Sequence, residues 1–497
     1  MTTSQAQLSV GTAPRSSAYP GRWLAAVVMA IAALMDMIDI TIVNVALPTI
    51  RSDLGATGTQ LAWVISAYML TFAATLIVAG SFGDLLGRKR VFLLGIAAFG
   101  AASLGAGLAQ TAGQLIAARS VQGAAAAAMM PQVLATFRAI FSGTERGQAF
   151  GLYGAILGFA SAIGLVLGGL LTEADLFGWS WRTIFFINIP VALFSLVATS
   201  VFVPETRNRS AGRPDLVGAG LLAAALIAIA YPLFEGHRLG WPVWGWLLLA
   251  GGVVLLLMLG IVESRRKDLE IAPLLRPALF RAPAFSAGLI VQFAFAAGLQ
   301  GFFLVFAIWL QAGQGFSPLE AGLTSVAFSA GSFLLAPFSV SLAVRFGRLV
   351  LAAGALLLAA GAIAIDVAAP HVGQGGGPWP IVPGLVVAGA GLALLVIPLV
   401  SVVLAAVPAA AAGGASGVFS TAQQLGGAIG VAVVGSVFFG HIEEGNSLLD
   451  AFQHAIPYVA AAFVVSCVLT LILPRTAVDE EELLAGDGSE VSTDGRR

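Results

Sequence analysis

Residues 23–48 read WLAAVVMAIAALMDMIDITIVNVALP. The stretch is apolar throughout except for a few polar side chains, chief among them Asp36 and Asp39 near its middle. About 20 apolar helical residues cross a ~30 Å hydrocarbon layer, so this run predicts a membrane-spanning helix. A carboxylate in hydrocarbon is costly unless it is paired, hydrated or protonated, which makes an intramembrane acid a functional-site candidate. A spacing of three places both acids on one helical face, where they can share one water-filled cavity. Two close acids repel, and a proton on one relieves the repulsion. The pair is therefore a plausible proton-exchanging group.

The same reading extends to the whole chain. Of 497 residues, 58% are hydrophobic and 10% are charged, against roughly 25% charged in soluble proteins. Charged residues cluster between continuous apolar runs, which predicts an all-α polytopic membrane protein rather than a β-barrel. Fourteen spans are expected, at 23–48, 61–81, 91–110, 113–137, 147–171, 183–203, 215–234, 243–263, 284–309, 319–343, 348–368, 380–407, 413–440 and 455–473. With the N-terminus inside, twenty of the 24 Lys and Arg fall in inside segments. Arg51, Arg182 and Arg238 fall outside, and Arg119 lies within the fourth span. This asymmetry predicts cytoplasmic N- and C-termini in a cell membrane. The net charge of −1 offers no basic surface for nucleic acid. The single cysteine, Cys467, excludes an intramolecular disulfide. Residues 1–22 carry no cleavable signal pattern, and they and the acidic tail 474–497 are expected to be disordered.

An internal echo divides the membrane region. GSFGDLLGRKR (80–90) follows the second span, and SVSLAVRFGRLV (339–350) follows the tenth. Gly87-Arg88 and Gly347-Arg348 align at an offset that also carries the start of span 1 to the start of span 9. The expected organisation is a six-helix bundle over 23–203, two inserted spans with their flanks over 204–283, and a second six-helix bundle over 284–473. Parallel six-helix halves flanking a central site are a secondary-transporter layout.

Several motifs carry a resemblance. GSFGDLLGRKR resembles the loop signature of the major facilitator superfamily, with Gly80, Asp84, Gly87, Arg88, Lys89 and Arg90 in place. IDITIVNVALP (38–48), WRTIFFINIP (181–190) and GVFSTAQQLGGAIGVAV (417–433) are similar to signatures of its fourteen-helix drug:proton antiporters. The chain is identified on these as a resemblance to that family. The resemblance implies a conformational-switch loop at 80–90 and proton coupling through Asp39, Asp36 and Arg119. Arg119, Gln122 and Gly123 resemble the superfamily's proton-coupling motif. A buried arginine needs a partner, and a nearby guanidinium favours an ionised carboxylate, so Arg119 is expected to tune Asp36 or Asp39 directly or through water. The motif match falls on Asp39, which makes it the expected principal proton carrier with Asp36 as its modulator. ASAIGLVLGGLL (160–171) resembles the antiporter motif of span 5, with Gly164, Gly168 and Gly169 allowing close packing. It departs at Ala160 and Leu165, where the family has glycine and proline, and Gly154 and Gly158 upstream could share the packing role.

A central cavity needs aromatic and a few polar linings. The expected set is Asn44, Trp63, Tyr68, Gln122, Met129, Gln292, Phe295, Gln300, Phe303 and Trp309, with Gln292 and Gln300 on one face of span 9. Spans 9–14 carry no interior acid, which favours one proton or one organic monocation at a time. No phosphate-binding loop, catalytic grouping or metal site is expected; the four histidines fall in predicted outside loops. The sequence thus points to a monomeric, non-enzymatic transporter without cofactor or ATP. Its expected partners are protons, the lipid bilayer and a small hydrophobic organic substrate, which it exports. Import of a metabolite by symport or uniport, or a non-transporting receptor or scaffold, are the alternatives.

Overall fold

The structure is a computed structural model that describes residues 19–207, 213–236, 239–240, 242–265, 271–272, 277–372, 377–405, 407 and 412–473. Most of the N-terminal segment and the acidic tail lie outside the described residues, as do His237 and Arg238; the surroundings of Gly154 and Gly158 are not described either. The helices are α1 (Arg22–Leu54), α2 (Gly58–Leu86), α3 (Arg88–Gly107), α4 (Ala112–Ile140), α5 (Gly143–Glu173), α6 (Thr183–Phe186) and α7 (Asn188–Phe202). They continue with α8 (Leu216–Glu235), α9 (Val243–Arg265), α10 (Pro283–Ile308), α11 (Pro318–Phe346), α12 (Arg348–Ala368), α13 (Val382–Ala405), α14 (Ala412–Glu443) and α15 (Leu448–Thr470). The described strands are two-residue pieces, Arg213–Pro214 paired in parallel with Ile271–Ala272. Among the described residues, twelve helical stretches are long and apolar enough to cross a membrane. The 29-residue α4 and 31-residue α5 pack beside them.

Local chemistry sets the boundaries. Thr57 and Ser317 each open a helix with a capping box, closed by Gln60 and Glu320 respectively. Such a cap satisfies two backbone N–H groups that the helix leaves unpaired. Gly87 and Gly347 break the chain at φ of 111° and 59°, values a side chain resists. The sequence echo thus marks two equivalent sharp turns, α2–α3 and α11–α12. The last helix begins at Leu448 rather than 455, because Ser447 caps it through the Asp450 N–H. His454 consequently stands on α15, not in a loop, and its ring stacks on His441 at 4.5 Å.

Helix pairing repeats along the chain. α1 packs on α5 and α7, α2 on α4, and α3 on α4 and α7. In the same order α10 packs on α14 and α15, α11 on α13, and α12 on α13 and α15. Small residues permit this closeness: a Cβ on Gly361 would lie 2.6 Å from the Gly384 carbonyl oxygen. α8 and α9 pack on each other, and α8 touches α2 and α14. Arg22 and Glu145 tie the starts of α1 and α5 with two hydrogen bonds of 2.8 and 2.9 Å. The Arg22 hydrogen bond holds the Glu145 carboxyl below the usual carboxylate range.

The two sets meet along α2–α14 and α5–α11. Phe439 covers Gly58, Ser66 Oγ donates to the Ala428 carbonyl, and Met69 lies against Gly427. On the other seam Gly169 abuts Pro318 and Leu319, Gly322 abuts Leu165, and Glu173 accepts from the Leu319 N–H at 3.2 Å. Gln311, in a π-helical turn at Trp309–Gly313, donates to the Val45 carbonyl at 2.7 Å. All these contacts lie in the half of the bundle that carries the α1–α2 turn.

Candidate functional site

The core of the site is an ion pair inside the first helix set. Asp39 on α1 is 0% exposed and pairs with Arg119 on α4, itself 2% exposed. Asp39 also accepts from Gln122 Nε2 at 3.2 Å and from Asn188 Nδ2 at 2.8 Å. Arg119 and Gln122 are three apart on α4, so one helical face delivers both. Asn188 opens α7 immediately after the break at Ile187, which aims its amide at the acid. Ser103 on α3 accepts from Gln122 Nε2 at 2.8 Å and from Asn188 Nδ2 at 3.3 Å. Arg119 Nε donates to the Val64 carbonyl at 3.2 Å, and Nη1 donates to Gln122 Oε1 at 3.0 Å. Five helices, α1, α2, α3, α4 and α7, are thereby joined through one buried charge pair in a single hydrogen-bonded network.

Asp36 stands one turn earlier on α1 and has a different environment. Its Oδ1 accepts from the Tyr68 hydroxyl of α2. The Arg119 guanidinium lies 4.4 Å over the Tyr68 ring, a cation–π contact. Tyr68 therefore touches both the second acid and the arginine. Its backbone is fixed by Gly123 of α4, where any Cβ would strike the Tyr68 carbonyl. The Arg119–Gln122–Gly123 motif thus combines a charge, its support and the space for α2 to approach.

The loop signature occupies the opposite end of the first helix set. Arg88 donates to Asp84 at 2.7 and 3.0 Å and to the Ala135 carbonyl of α4 at 3.1 Å. Lys89 Nζ donates to the Ser200 carbonyl at 2.7 Å. Glu205 accepts from the Lys89 N–H at 3.1 Å and lies 3.7 Å from Arg90, near the start of α3 where a negative charge is favourable. Gly80 faces Pro131, Gly83 faces Gln132, and Gly87 faces Glu205. Every one of these contacts stays within the first helix set. The Asp84–Arg88 pair is part exposed, so it is worth about 0–1 kcal/mol. Asp84→Asn is accordingly expected to leave thermal stability in detergent nearly unchanged, as a melting curve would show.

The expected cavity residues separate into groups. Tyr68 and Gln122 belong to the acid network. Gln300 lies on the α2–α14 seam beside Gly427, and Phe303 packs edge-on against Phe328 of α11. Trp63 faces Tyr231 of α8, Met129 fills the space over Gly95, and Trp309 stacks on Phe452 at 4.4 Å. Phe295 faces Phe463 of α15. Gln292 is fully enclosed, and neither end of its amide has a partner among the described residues. Gln292 and Gln300, roughly 80° apart on α10, differ in setting: the first is buried and the second is partly exposed at the seam. Asn44 donates to the Ile40 carbonyl at 3.3 Å, and its oxygen has no partner among the described residues. In the span-5 motif, Gly164 lies against Thr41, Gly168 against Ile42 and Gly169 against α11. The substitutions at Ala160 and Leu165 leave that packing intact.

Asn188, Ser103 and Glu205 take part in these hydrogen-bond networks, and motif reading passed over them. Asn188 sits within WRTIFFINIP, where a lone amide in an apolar run was the available signal. Ser103 carried none, because a small hydroxyl in a helix commonly bonds its own backbone.

Known proteins fit this arrangement. The chain matches the sequence model of the Major Facilitator Superfamily over residues 29–431 and 288–492. It is 37% identical to the probable actinorhodin transporter of Streptomyces coelicolor, over 91% of this chain and 79% of that one. It is 35% identical to the puromycin resistance protein pur8 of Streptomyces alboniger, over 95% and 94%. The tetracenomycin C resistance and export protein of Streptomyces glaucescens is 32% identical, over 86% and 78%. Among solved structures, a bacterial homologue of the human drug peptide transporters PepT1 and PepT2 superposes with a TM-score of 0.66. That match covers 94% of this chain and 99% of the other at 15% identity, a likeness of fold alone. On this evidence the chain belongs to the major facilitator superfamily, in its drug:proton antiporter family.

Proposed function

We propose that this protein exports hydrophobic or amphipathic antibiotics across the cytoplasmic membrane in exchange for protons. The observation that carries the reading is the enclosed Asp39–Arg119 pair with Asp36 and Tyr68 beside it, inside the first of the two helix sets. A buried charge network of this kind costs more than an apolar core would, and proton exchange gives it a purpose. Relatives named for antibiotic transport and resistance support the substrate class. The membrane potential adds about 2.3 kcal/mol per charge per 100 mV, so a net inward charge movement assists export.

The reading includes the finer architecture. α4 and α5 complete fourteen spans in a 6 + 2 + 6 order, with bundles over 23–203 and 284–473 and the inserted pair between them. Both termini are cytoplasmic, and the protein works as a monomer without ATP. With that orientation, the seams of α2–α14 and α5–α11 close the outer side, and the arrangement is one that opens inward. The loop at 80–90 acts as a conformational switch. Gln300 and Phe303 line the substrate path near the seam.

The test is a susceptibility panel in an efflux-deficient host, using puromycin, ethidium and an aromatic polyketide, paired with uptake into inside-out vesicles. Resistance and vesicle uptake that vanish when the pH gradient is collapsed are expected. Uptake indifferent to that collapse would remove the proton from the reading.

A further inference from the structure

We infer that Tyr68 is a positioning residue that locks α2 while Asp36 is ionised, so that the empty, unprotonated carrier cannot cross between its two states. The inference rests on the proposed proton-coupled export and assigns the proton within it.

Charge counting comes first. The site holds two carboxylates, Asp36 and Asp39, against one guanidinium, Arg119. One negative charge is left over, and one proton cancels it. Asp39 has the cation in contact and two amide donors besides. Protonating Asp39 would leave Arg119 buried beside a neutral acid, a costly arrangement. Among the described residues, Asp36 has only the neutral Tyr68 hydroxyl as its hydrogen-bond partner, and it retains 4% exposure where Asp39 has none. The proton therefore belongs on Asp36, reversing the order the motif match suggested. The titratable groups facing Asp36 are Asp39 on its own helix, Tyr68 of α2, Arg119 of α4 and Tyr153 of α5.

The position of Tyr68 supplies the coupling. It lies on α2 between Ser66 and Met69, the two residues that meet Ala428 and Gly427 of α14. A hydrogen bond to an ionised acceptor is roughly twice as strong as a neutral one. While Asp36 is a carboxylate, this bond pins α2 to α1 and keeps the α2–α14 seam shut. When a proton adds to Asp36, its charge is cancelled, the phenol keeps its own proton, and the bond loses its ionic part. α2 is then free to part from α14. A monocationic substrate near Asp36 weakens the bond by competing for the same charge. An exchanger needs this rule, since an empty carrier that crosses freely dissipates the gradient.

The experiment uses full-length protein in liposomes loaded with a pH-sensitive dye, with an imposed potential and no substrate. Tyr68→Phe is expected to raise passive proton flux at least tenfold over wild type. Adding Asp36→Asn to it should return the flux to background, because the carboxylate without a counter-charge is gone and Asp39 stays paired with Arg119. A Tyr68→Phe leak equal to wild type, or a leak that survives Asp36→Asn, overturns the inference. Should Tyr68→Phe fail to fold, amide exchange across residues 58–72 of the wild-type protein decides the matter. Protection, taken relative to the intrinsic exchange rate at each pH, should fall as pH falls and Asp36 is protonated, and protection that does not change with pH overturns the lock. Gradient-driven ethidium efflux by wild type is measured in parallel. Its absence would defeat the proposed export itself, independently of the leak.

Discussion

Arg119→Met is expected to abolish gradient-driven efflux, lowering it at least ~100-fold, and to reduce folding stability by about 3–5 kcal/mol, the usual cost of orphaning one member of a buried ion pair. The cost arises because Asp39 would keep its charge with only the amides of Gln122 and Asn188 to stabilise it. The Val64 carbonyl and the Tyr68 ring would also lose their cation. Asp39→Asn is expected to be similarly damaging, since it leaves the guanidinium enclosed without a counter-charge. The double variant Arg119→Met with Asp39→Asn separates two meanings of the pair. Removing both charges together is often close to neutral for stability. The double variant should therefore recover much of the lost thermal stability in detergent while remaining inactive. Coupling of this kind between two contacting sites is what a double-mutant cycle measures. Single variants that transport normally, or a double variant as unstable as either single, would show that the pair is neither structural nor functional in the way the geometry implies. Arg119→Lys is an informative intermediate: it restores charge, but a lysine cannot reach Asp39, Gln122 and the Val64 carbonyl at once. Partial stability without efflux is the expected result.

The parts of this site legible in the sequence are those whose chemistry is costly. Asp36, Asp39 and Arg119 stand out because a charge in an apolar run demands an explanation. The turns at Gly87 and Gly347 were legible because an echo of Gly-Arg at one offset coincided with the order of the spans. Partner choice was not legible. Arg119 could reach either acid by spacing alone, and only the packing of α4 on α1 directs it to Asp39. Tyr68 read as an aromatic lining residue, because nothing local says that its hydroxyl meets a carboxylate 32 positions away. The cavity set was the least legible part. Helical periodicity reports which residues share a face, but not whether that face meets another helix of the same set, the opposite set or lipid. Trp63, Met129, Phe295 and Trp309 are apolar in all three settings. Gln292 and Gln300 differ only in the rotation accumulated between them.

Gly169→Val is expected to be nearly as damaging as loss of Arg119, for a reason that is purely steric. Gly164 and Gly168 of α5 pack against α1, within one helix set, but Gly169 faces Pro318 and Leu319 across the seam. A Cβ there would lie 2.6 Å from the Leu319 Cα and closer still to the Pro318 carbonyl. These are backbone atoms at the capped start of α11, and they cannot turn aside as a flexible side chain would. The strain exists only when the seam is shut. Overpacking costs of about 1–3 kcal/mol, applied to one state and not the other, shift a two-state equilibrium roughly 5–150-fold. Gly169→Val should therefore hold the carrier open on the side that bears the α1–α2 turn. A cysteine in place of the buried Leu165, which lies against Gly322 across the seam, reports on this directly without adding bulk. Its labelling by an impermeant maleimide should be slow with glycine at 169 and at least tenfold faster with valine. Efflux should fall in proportion, while thermal stability changes little, because the open state relieves the clash. Gly164→Val provides the contrast. Its clash with Thr41 and the Ile38 carbonyl lies inside one set and is present in both states, so it should lower stability without favouring either opening. Equal labelling in the two variants would mean that α5 and α11 are not the surfaces that separate.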